Sequence, residues 1–212
     1  MNAAPPAPYL DTPGLICDAD HVYHLGQETP DGVTDTLGAV GLLTDPRHFA
    51  EGSAERGIFI HAMLAAAARG YTFDMELVDL EFRGWIQSGL DFLAAKLAEG
   101  AVILGVELRR FHPLYRFAGT IDLILLERGR VNVYDYKSGK AAKAVRFQLG
   151  AYGLLLPEAD RPRKFALELD RDGGKAHPIG YNELEHWHDG NRFLGYLTTA
   201  RDVRTFGPKE RV

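Results

Sequence analysis

The chain has 212 residues, is 46% hydrophobic and carries a formal net charge of −5 at pH 7. This length and composition predict one well-buried core, or two closely joined lobes. Its single cysteine, Cys17, excludes a disulfide framework and a four-cysteine cluster carried by this chain alone. The opening MNAAPPAP has no basic start or apolar run, and the longest apolar stretches are too interrupted to span a bilayer. We therefore expect a protein of a reducing cytoplasm, without a signal peptide or membrane association.

Charge is unevenly distributed along the chain. From Arg109 to Arg146, nine basic residues stand against three acidic ones, so this window is +6 and the rest of the chain is −11. A basic window on an acidic protein is typical of a single phosphate-binding face. An ordinary solvated charged surface is the alternative interpretation.

The first part of the chain is predicted to contain a hairpin and two helices. Turn signals between β-prone runs over residues 21–38 predict an N-terminal hairpin. Apolar spacing predicts helices over residues 54–69 and 75–99. The residues predicted to share one helix face are Ile58, His61, Ala62 and Ala65 in the first helix and, mostly on one stripe, Leu77, Leu80, Ile86, Leu90, Leu93 and Leu97 in the second.

The period then changes to that of β-strands. The predicted elements are strands over 101–111, 115–127 and 130–137, a helix over 144–156, strands over 163–170 and 175–181, and a closing helix over 182–203. This order predicts a mixed α/β or α+β layer protein. We expect a single domain over residues 1–212, with 1–53 as a hairpin and helical extension and 54–212 as the core.

Acidic residues fall on two strands that are predicted to be neighbours. Asp122 lies among apolar residues in AGTIDLILL, and Asp135 shares one strand face with Lys137. A surface ion pair would explain Asp135 and Lys137 taken alone. Two converging carboxylates, however, repel each other unless a cation lies between them, and hard divalent cations such as Mg²⁺ prefer oxygen ligands. The Tyr136 carbonyl and the Glu107 side chain, as a direct or outer ligand, are further candidates.

These residues, together with RGIFIH upstream and FQLGAYGLLL downstream, resemble the active site of the PD-(D/E)XK nuclease superfamily, and most closely its RecB-like and phage-exonuclease branch. Gln148 and Tyr152 match the Q-x-x-x-Y motif of this branch, and their four-residue spacing predicts that they share one helix face. The resemblance covers residues 56–156. It implies a restriction-endonuclease-like core, in which helices flank a central mixed sheet. One departure is that Ile121, and not the proline of the signature, precedes Asp122.

The resemblance also implies a role for individual residues. The catalytic set comprises Asp122, Asp135, Lys137, Gln148, Tyr152 and Glu107. The metal ligands comprise His61, Asp122, Asp135 and the Tyr136 carbonyl. The DNA contacts comprise Arg56, Lys140, Lys143 and Arg146. The implied cofactor is one or two Mg²⁺ or Mn²⁺ ions, and no iron–sulfur cluster is expected with one cysteine.

The implied activity is metal-dependent, sequence-independent exonucleolytic cleavage of DNA in phage or bacterial recombination or repair. DNA is the expected partner, and a single-strand annealing or other recombination protein is a further candidate. Lys137 either orients or deprotonates the attacking water or stabilises the transition state. Three alternatives stay open: a non-catalytic DNA-binding protein on the same fold, a structure-selective endonuclease, and an unrelated α/β enzyme in which these charges form structural pairs.

Overall fold

The computed structural model of the protein describes residues 9–43, 53–181 and 186–207. The strands in these ranges are β1 (Leu15–Cys17), β2 (Tyr23–Leu25), β3 (Asp31–Gly32), β4 (Val102–His112), β5 (Phe117–Glu127), β6 (Arg130–Lys137), β7 (Arg163–Glu168) and β8 (His177–Tyr181). The α-helices are α1 (Val33–Ala39), α2 (Ser53–Ala68), α3 (Leu80–Ala98), α4 (Val145–Leu154) and α5 (His186–Phe206). None of the helices in these ranges is long and apolar enough to cross a membrane.

A six-stranded mixed sheet organises the molecule. One edge of β5 pairs antiparallel with β4. Its other edge pairs antiparallel with β6 from Leu123 to Glu127 and parallel with β3 at Phe117 and Ala118. β6 then continues parallel with β7, which is antiparallel to β8. The registered pairing of β5 with β6 therefore stops at Leu123 and Tyr134, and the two strands fork beyond this point.

Helices cover both faces of the sheet, which confirms the predicted mixed α+β class. The apolar run of β5 is buried on both sides, as is usual for a central strand. Leu123 belongs to the core cluster that contains Ile60 of α2 and Ile86 of α3. Ile124 belongs to the opposite cluster, which contains Leu149 of α4. The site between β5 and β6 is thus supported from both faces of the sheet.

The N-terminal hairpin lies earlier than predicted. β1 and β2 pair antiparallel, and the Asp18 carboxylate in their turn accepts hydrogen bonds from the N–H groups of Asp20 and Val22. Residues 33–39, predicted to belong to the hairpin, form helix α1. Residues 44–52 of the predicted extension and residues 182–185 of the predicted closing helix lie outside the described residues. The division into an extension and a core at residue 53 stays a prediction.

The residues predicted to share one face on each of the two long helices are only partly buried. In α2, Ile58 is 55% exposed, whereas Ile60 and Leu64 are buried. Ile86 and Leu93 of the second predicted helix are buried as expected. Exposed members of its predicted apolar stripe are Leu77, Leu80 and Leu97. In α2 the buried face is therefore rotated by about one residue, and His61 is only half-buried.

Candidate active site

Asp122 lies where β5 and β6 part, and it is 6% exposed. Its Oδ2 accepts a hydrogen bond of 2.7 Å from the Tyr136 N–H, which joins the two strands where their backbone pairing has ended. Burial alone would raise the pKa of the Asp122 carboxyl, but the charge and hydrogen bond of His61, the charge of Lys137 and the Tyr136 hydrogen bond together outweigh burial and lower it. The fork therefore contains a buried carboxylate in its ionised form.

Asp135 and Lys137 form an ion pair on the other arm of the fork. Asp135 is 1% exposed, and the Lys137 Nζ lies 2.5 Å from its Oδ2. Burial raises the pKa of Asp135 despite the lysine. Burial would lower the pKa of Lys137, but the charges of Asp135 and Asp122 outweigh burial and raise it. The lysine therefore stays a cation beside two carboxylates.

Helix α4 supports Lys137 through two polar side chains. The Lys137 Nζ donates to Gln148 Oε1 at 3.4 Å, and Gln148 Nε2 donates to the Tyr152 hydroxyl at 2.9 Å. Gln148 and Tyr152 are both buried and are four residues apart, so they share one face of the helix. The structure thus brings the predicted Q-x-x-x-Y residues to the ammonium group of Lys137.

His61 of the alanine-rich helix α2 contacts both strands of the fork. Its Nδ1 lies 3.4 Å from Asp122 Oδ2, and its Nε2 lies 3.1 Å from the Tyr136 carbonyl oxygen. Burial acts to lower the pKa of His61, but the negative charge of Asp122 outweighs burial and raises the pKa to about 9. Without a bound cation, the positive charge of His61 thus offsets the negative charge of Asp122.

Glu107 faces the fork from β4. Its neighbours Val106 and Leu108 pair with Leu123 and Ile121, which places Glu107 across from Asp122. Glu107 has φ 49°, a left-handed conformation that is uncommon for a residue with a side chain and that often marks a functional site. Among the described residues, its buried Oε1 has no hydrogen-bond partner. Burial together with the charge of Asp122 raises the pKa of Glu107 to about 7.

A divalent metal ion fits this arrangement. His61, Glu107 and Asp122 each offer one ligand atom, and these atoms all lie within 4.8 Å of one another. Two carboxylates and one imidazole suit Mg²⁺ or Mn²⁺, and a cation would give the orphaned Glu107 oxygen a partner. Among the described residues, Asp135 is not part of this group, because its carboxylate faces Lys137. Its direct metal ligation, and that of the Tyr136 carbonyl, stay predictions.

One cleft of about 460 Å³ is lined by all the site side chains described above except Tyr136. They are His61, Glu107, Asp122, Asp135, Lys137, Gln148 and Tyr152. The N-terminal hairpin forms a wall of this cleft, and it is attached to the sheet by a 3.0 Å hydrogen bond between the Tyr23 and Thr120 hydroxyls. His21, Arg69 and Arg109 also line the cleft and were not predicted to be site residues. Arg69 follows directly on α2, about two helical turns after His61, and this spacing was its sequence signal.

The basic window from Arg109 to Arg146 is not the free basic face that its sequence suggested. At least five of its nine basic residues form ion pairs with acidic side chains. These pairs are Arg109–Asp11, Arg116–Glu28, Lys137–Asp135, Lys140–Glu168 and Arg146–Asp189. Most of the acidic partners lie far away in the sequence. The fold therefore neutralises positive charge that the net charge of the Arg109–Arg146 window leaves unbalanced.

The four predicted DNA contacts differ in their availability. Lys143 is exposed, and Lys140 is 91% exposed although its ammonium contacts an acid. Arg146 is half-buried, and its partner Asp189 is fully buried, which favours a structural role. The Arg56 guanidinium lies 4.9 Å above the Trp85 ring. DNA contact by these residues stays a prediction, and it is least supported for Arg146.

Comparison with known proteins identifies the family. The chain matches the model of the PD-(D/E)XK nuclease superfamily over residues 37–192, which include every residue of the fork. The protein therefore belongs to the PD-(D/E)XK nuclease superfamily, whose members generally use divalent metals. No curated protein matches the chain. A solved structure described as "Crystal structure of SSO0001" is similar at 15% identity, covering 89% of this chain and 90% of that chain with a TM-score of 0.43.

Proposed function

We propose that the protein is a Mg²⁺- or Mn²⁺-dependent deoxyribonuclease that hydrolyses phosphodiester bonds without regard to base sequence. The observation that carries this proposal is the fork itself. In a chain of a nuclease superfamily, it places two buried aspartates, a lysine, a histidine and an orphaned glutamate around one cleft.

The metal would be held by His61, Glu107 and Asp122, and one or two ions are compatible with the proposal. When bound, a divalent cation supplies electrostatic stabilisation of the phosphate and lowers the pKa of water. Asp122 is already ionised and is fixed by the Tyr136 N–H, so the site is preorganised for a cation.

Lys137 stabilises the charge that develops on the non-bridging phosphate oxygens by donating hydrogen bonds from Nζ. Its ion pair with Asp135 makes this electrostatic role more suitable than that of a general base. Asp135 and Gln148 position the ammonium group, and Tyr152 fixes the amide of Gln148. Hydrolysis then adds water across one P–O bond and releases a phosphate monoester and a hydroxyl group.

We assign the protein to the RecB-like and phage-exonuclease branch and expect it to act on DNA ends in phage or bacterial recombination or repair. The order of RG-x-x-x-H, Asp122, Asp135-x-Lys137 and Gln148-x-x-x-Tyr152 supports this assignment. A single-strand annealing protein or another recombination protein is the expected protein partner. The expected place of action is the cytoplasm of a bacterium or phage-infected cell.

A digestion panel tests this function. Linear single- and double-stranded DNA labelled at either end, and the corresponding closed circles, would be incubated with Mg²⁺ or Mn²⁺. We expect stepwise loss of nucleotides from linear DNA, whereas the closed circles should stay intact. Cutting of closed circles would instead favour an endonuclease, and tight binding without cutting would favour the non-catalytic alternative.

A further inference from the structure

Arg69 follows directly on helix α2 and extends over the edge of the cleft. Its side chain is exposed, and its Nη2 donates a 3.0 Å hydrogen bond to the carbonyl oxygen of Val106, the residue before Glu107. The guanidinium is therefore anchored beside the proposed metal ligands by one of its five N–H donors.

Arg69 differs from the other arginine and lysine residues that line this cleft. Lys137 contacts Asp135, and Arg109 contacts Asp11 at 2.6 Å. Within residues 9–43, 53–181 and 186–207, no carboxylate lies within ion-pair distance of Arg69. A cation that lines an acidic cleft without its own acid partner is free to bind an anionic substrate.

The position of Arg69 indicates the direction in which a bound strand would leave the cleft. Arg69 contacts β4, the strand that carries Glu107, whereas Lys137 belongs to β6, and β5 with Asp122 lies between these two strands. Arg69 also lines a second groove of about 610 Å³, which is formed by Tyr9, Leu10, Asp11, Ala68 and residues 103–106 and 108 of β4. Arg69 thus lies at the junction between the cleft and this groove.

We propose that Arg69 binds the DNA phosphate next to the scissile one, on the part of the strand that leaves the cleft toward this groove. The inference rests on the proposed nuclease function and adds a second phosphate-binding position to it. Arginine suits this position because its planar guanidinium donates two parallel hydrogen bonds to a phosphate. Lys137 and Arg69 would then hold consecutive phosphates on opposite sides of the metal ligands.

The test combines Arg69→Ala with single-stranded oligonucleotides that carry one neutral methylphosphonate at either phosphate next to the scissile bond. On unmodified DNA, we expect Arg69→Ala to lower kcat/KM by about tenfold, mostly through KM, because it removes a charge-assisted phosphate contact. One of the two methylphosphonates should slow the wild-type protein by a similar factor. The same modification should have little further effect on Arg69→Ala, since both changes remove one interaction.

A binding measurement tests the contact between Arg69 and a phosphate independently of turnover. With Ca²⁺ in place of Mg²⁺, the slope of log affinity against log salt should be shallower for Arg69→Ala by about 0.7, the value for one contact to a single strand. Arg69→Lys should keep most of this slope. The matched control is Arg83→Ala, which removes another arginine held by backbone carbonyls, those of Val78 and Glu76, away from the cleft.

Wild-type affinity and wild-type salt dependence in Arg69→Ala would overturn the inference, as would equal sensitivity of wild type and variant to both methylphosphonates. Binding without cleavage by the wild-type protein would contradict the nuclease proposal, and the salt slopes would still decide the role of Arg69. A melting temperature close to that of the wild type would show that Arg69→Ala is folded. If it is not folded, the same measurements on Arg69→Gln apply, with Arg69→Lys as the comparison that keeps the charge.

Discussion

The ammonium nitrogen of Lys137 lies 2.5 Å from a carboxylate oxygen of Asp135, on the same face of one strand. Asp135 is almost fully buried, and a buried pair of this kind is costly to desolvate and rarely stabilises a fold on balance. Asp122 and Gln148 lie beside the pair, and the cleft opens onto it. The pair is therefore better explained by chemistry at the cleft than by stability.

Replacing Lys137 separates catalysis from DNA binding. We expect Lys137→Ala to lower the single-turnover rate by about a hundredfold or more, because it removes preorganised charge at the reacting phosphate. Its DNA affinity should change little. The comparison variant is Lys143→Ala, which alters an exposed lysine after the strand and should weaken binding increasingly as salt rises. If Lys137→Ala lost only affinity and kept its saturated rate, β6 would be a binding strand.

Removal of either buried aspartate charge should abolish cleavage. Asp122→Asn loses a negative charge from the metal group, and Asp135→Asn leaves Lys137 without its counter-ion. We expect a fall in rate of about a hundredfold or more for each, with DNA binding retained. The control is Asp91→Asn, which changes an exposed residue of α3 and should leave the protein fully active. Near-normal rates in folded Asp122→Asn or Asp135→Asn would contradict the assignment of the site.

Glu107 is expected to contribute to metal affinity. Glu107→Gln keeps the size of the side chain but removes the negative charge opposite Asp122, so Mn²⁺ affinity should fall by about 10- to 100-fold. Titration calorimetry with Mn²⁺ measures this effect without any substrate. Exposed Glu81 of α3 supplies the control Glu81→Gln, which should bind Mn²⁺ like the wild type. Equal affinity of Glu107→Gln and wild type would exclude Glu107 from the metal group.

The stability of the metal-free protein should fall as pH rises. The pKa of His61 is raised from 6.5 to about 9, so its contribution is fully present below pH 6.5 and is lost as pH rises through 9. The pKa of Glu107 is raised from 4.5 to about 7, so folding favours its neutral form and this contribution is lost as pH rises through 7. Between pH 6.5 and 9, Tm in chelator should therefore fall. Saturating Mn²⁺ should increase Tm by more at the higher pH, since its ligands then hold fewer protons.

The control for this pH effect is His61→Asn, which removes the group whose pKa shift spans the range from pH 6.5 to 9. We expect its Tm in chelator to depend less on pH than that of the wild type. A wild-type Tm that rose with pH in chelator relative to this variant would contradict the contacts assigned to His61.

Local patterns were sufficient to predict the centre of the fold and the candidate site. The apolar run of β5 and the alternating apolar and polar residues of β6 predict two buried neighbouring strands. Asp122 and Asp135 stand out because each is an acidic residue within one of these strands. The four-residue spacing of Gln148 and Tyr152 predicts a shared helix face, and the structure has both on one face of α4.

Long-range contacts account for what the sequence did not predict. Arg146 lies near Lys137 in sequence, but its partner Asp189 comes 43 residues later in α5, so no local pattern shows that its charge is neutralised. Glu107 was a candidate direct or outer ligand, but its left-handed backbone and its oxygen without a described hydrogen-bond partner depend on β4 packing against β5. The hairpin was placed too late because Gly26 and Pro30 are stronger turn signals than Asp18, whose side-chain hydrogen bonds make the turn.

The most direct test of the central claim is cleavage of end-labelled single-stranded DNA by the purified protein under four conditions: Mg²⁺, Mn²⁺, Ca²⁺ and excess chelator. Asp122→Asn would be measured in parallel to exclude a contaminating nuclease. We predict cleavage with Mg²⁺ or Mn²⁺, little turnover with Ca²⁺ because of its longer and looser coordination, none in chelator, and none by Asp122→Asn under any condition. Full wild-type cleavage in excess chelator would contradict a metal-dependent nuclease site at the fork between β5 and β6.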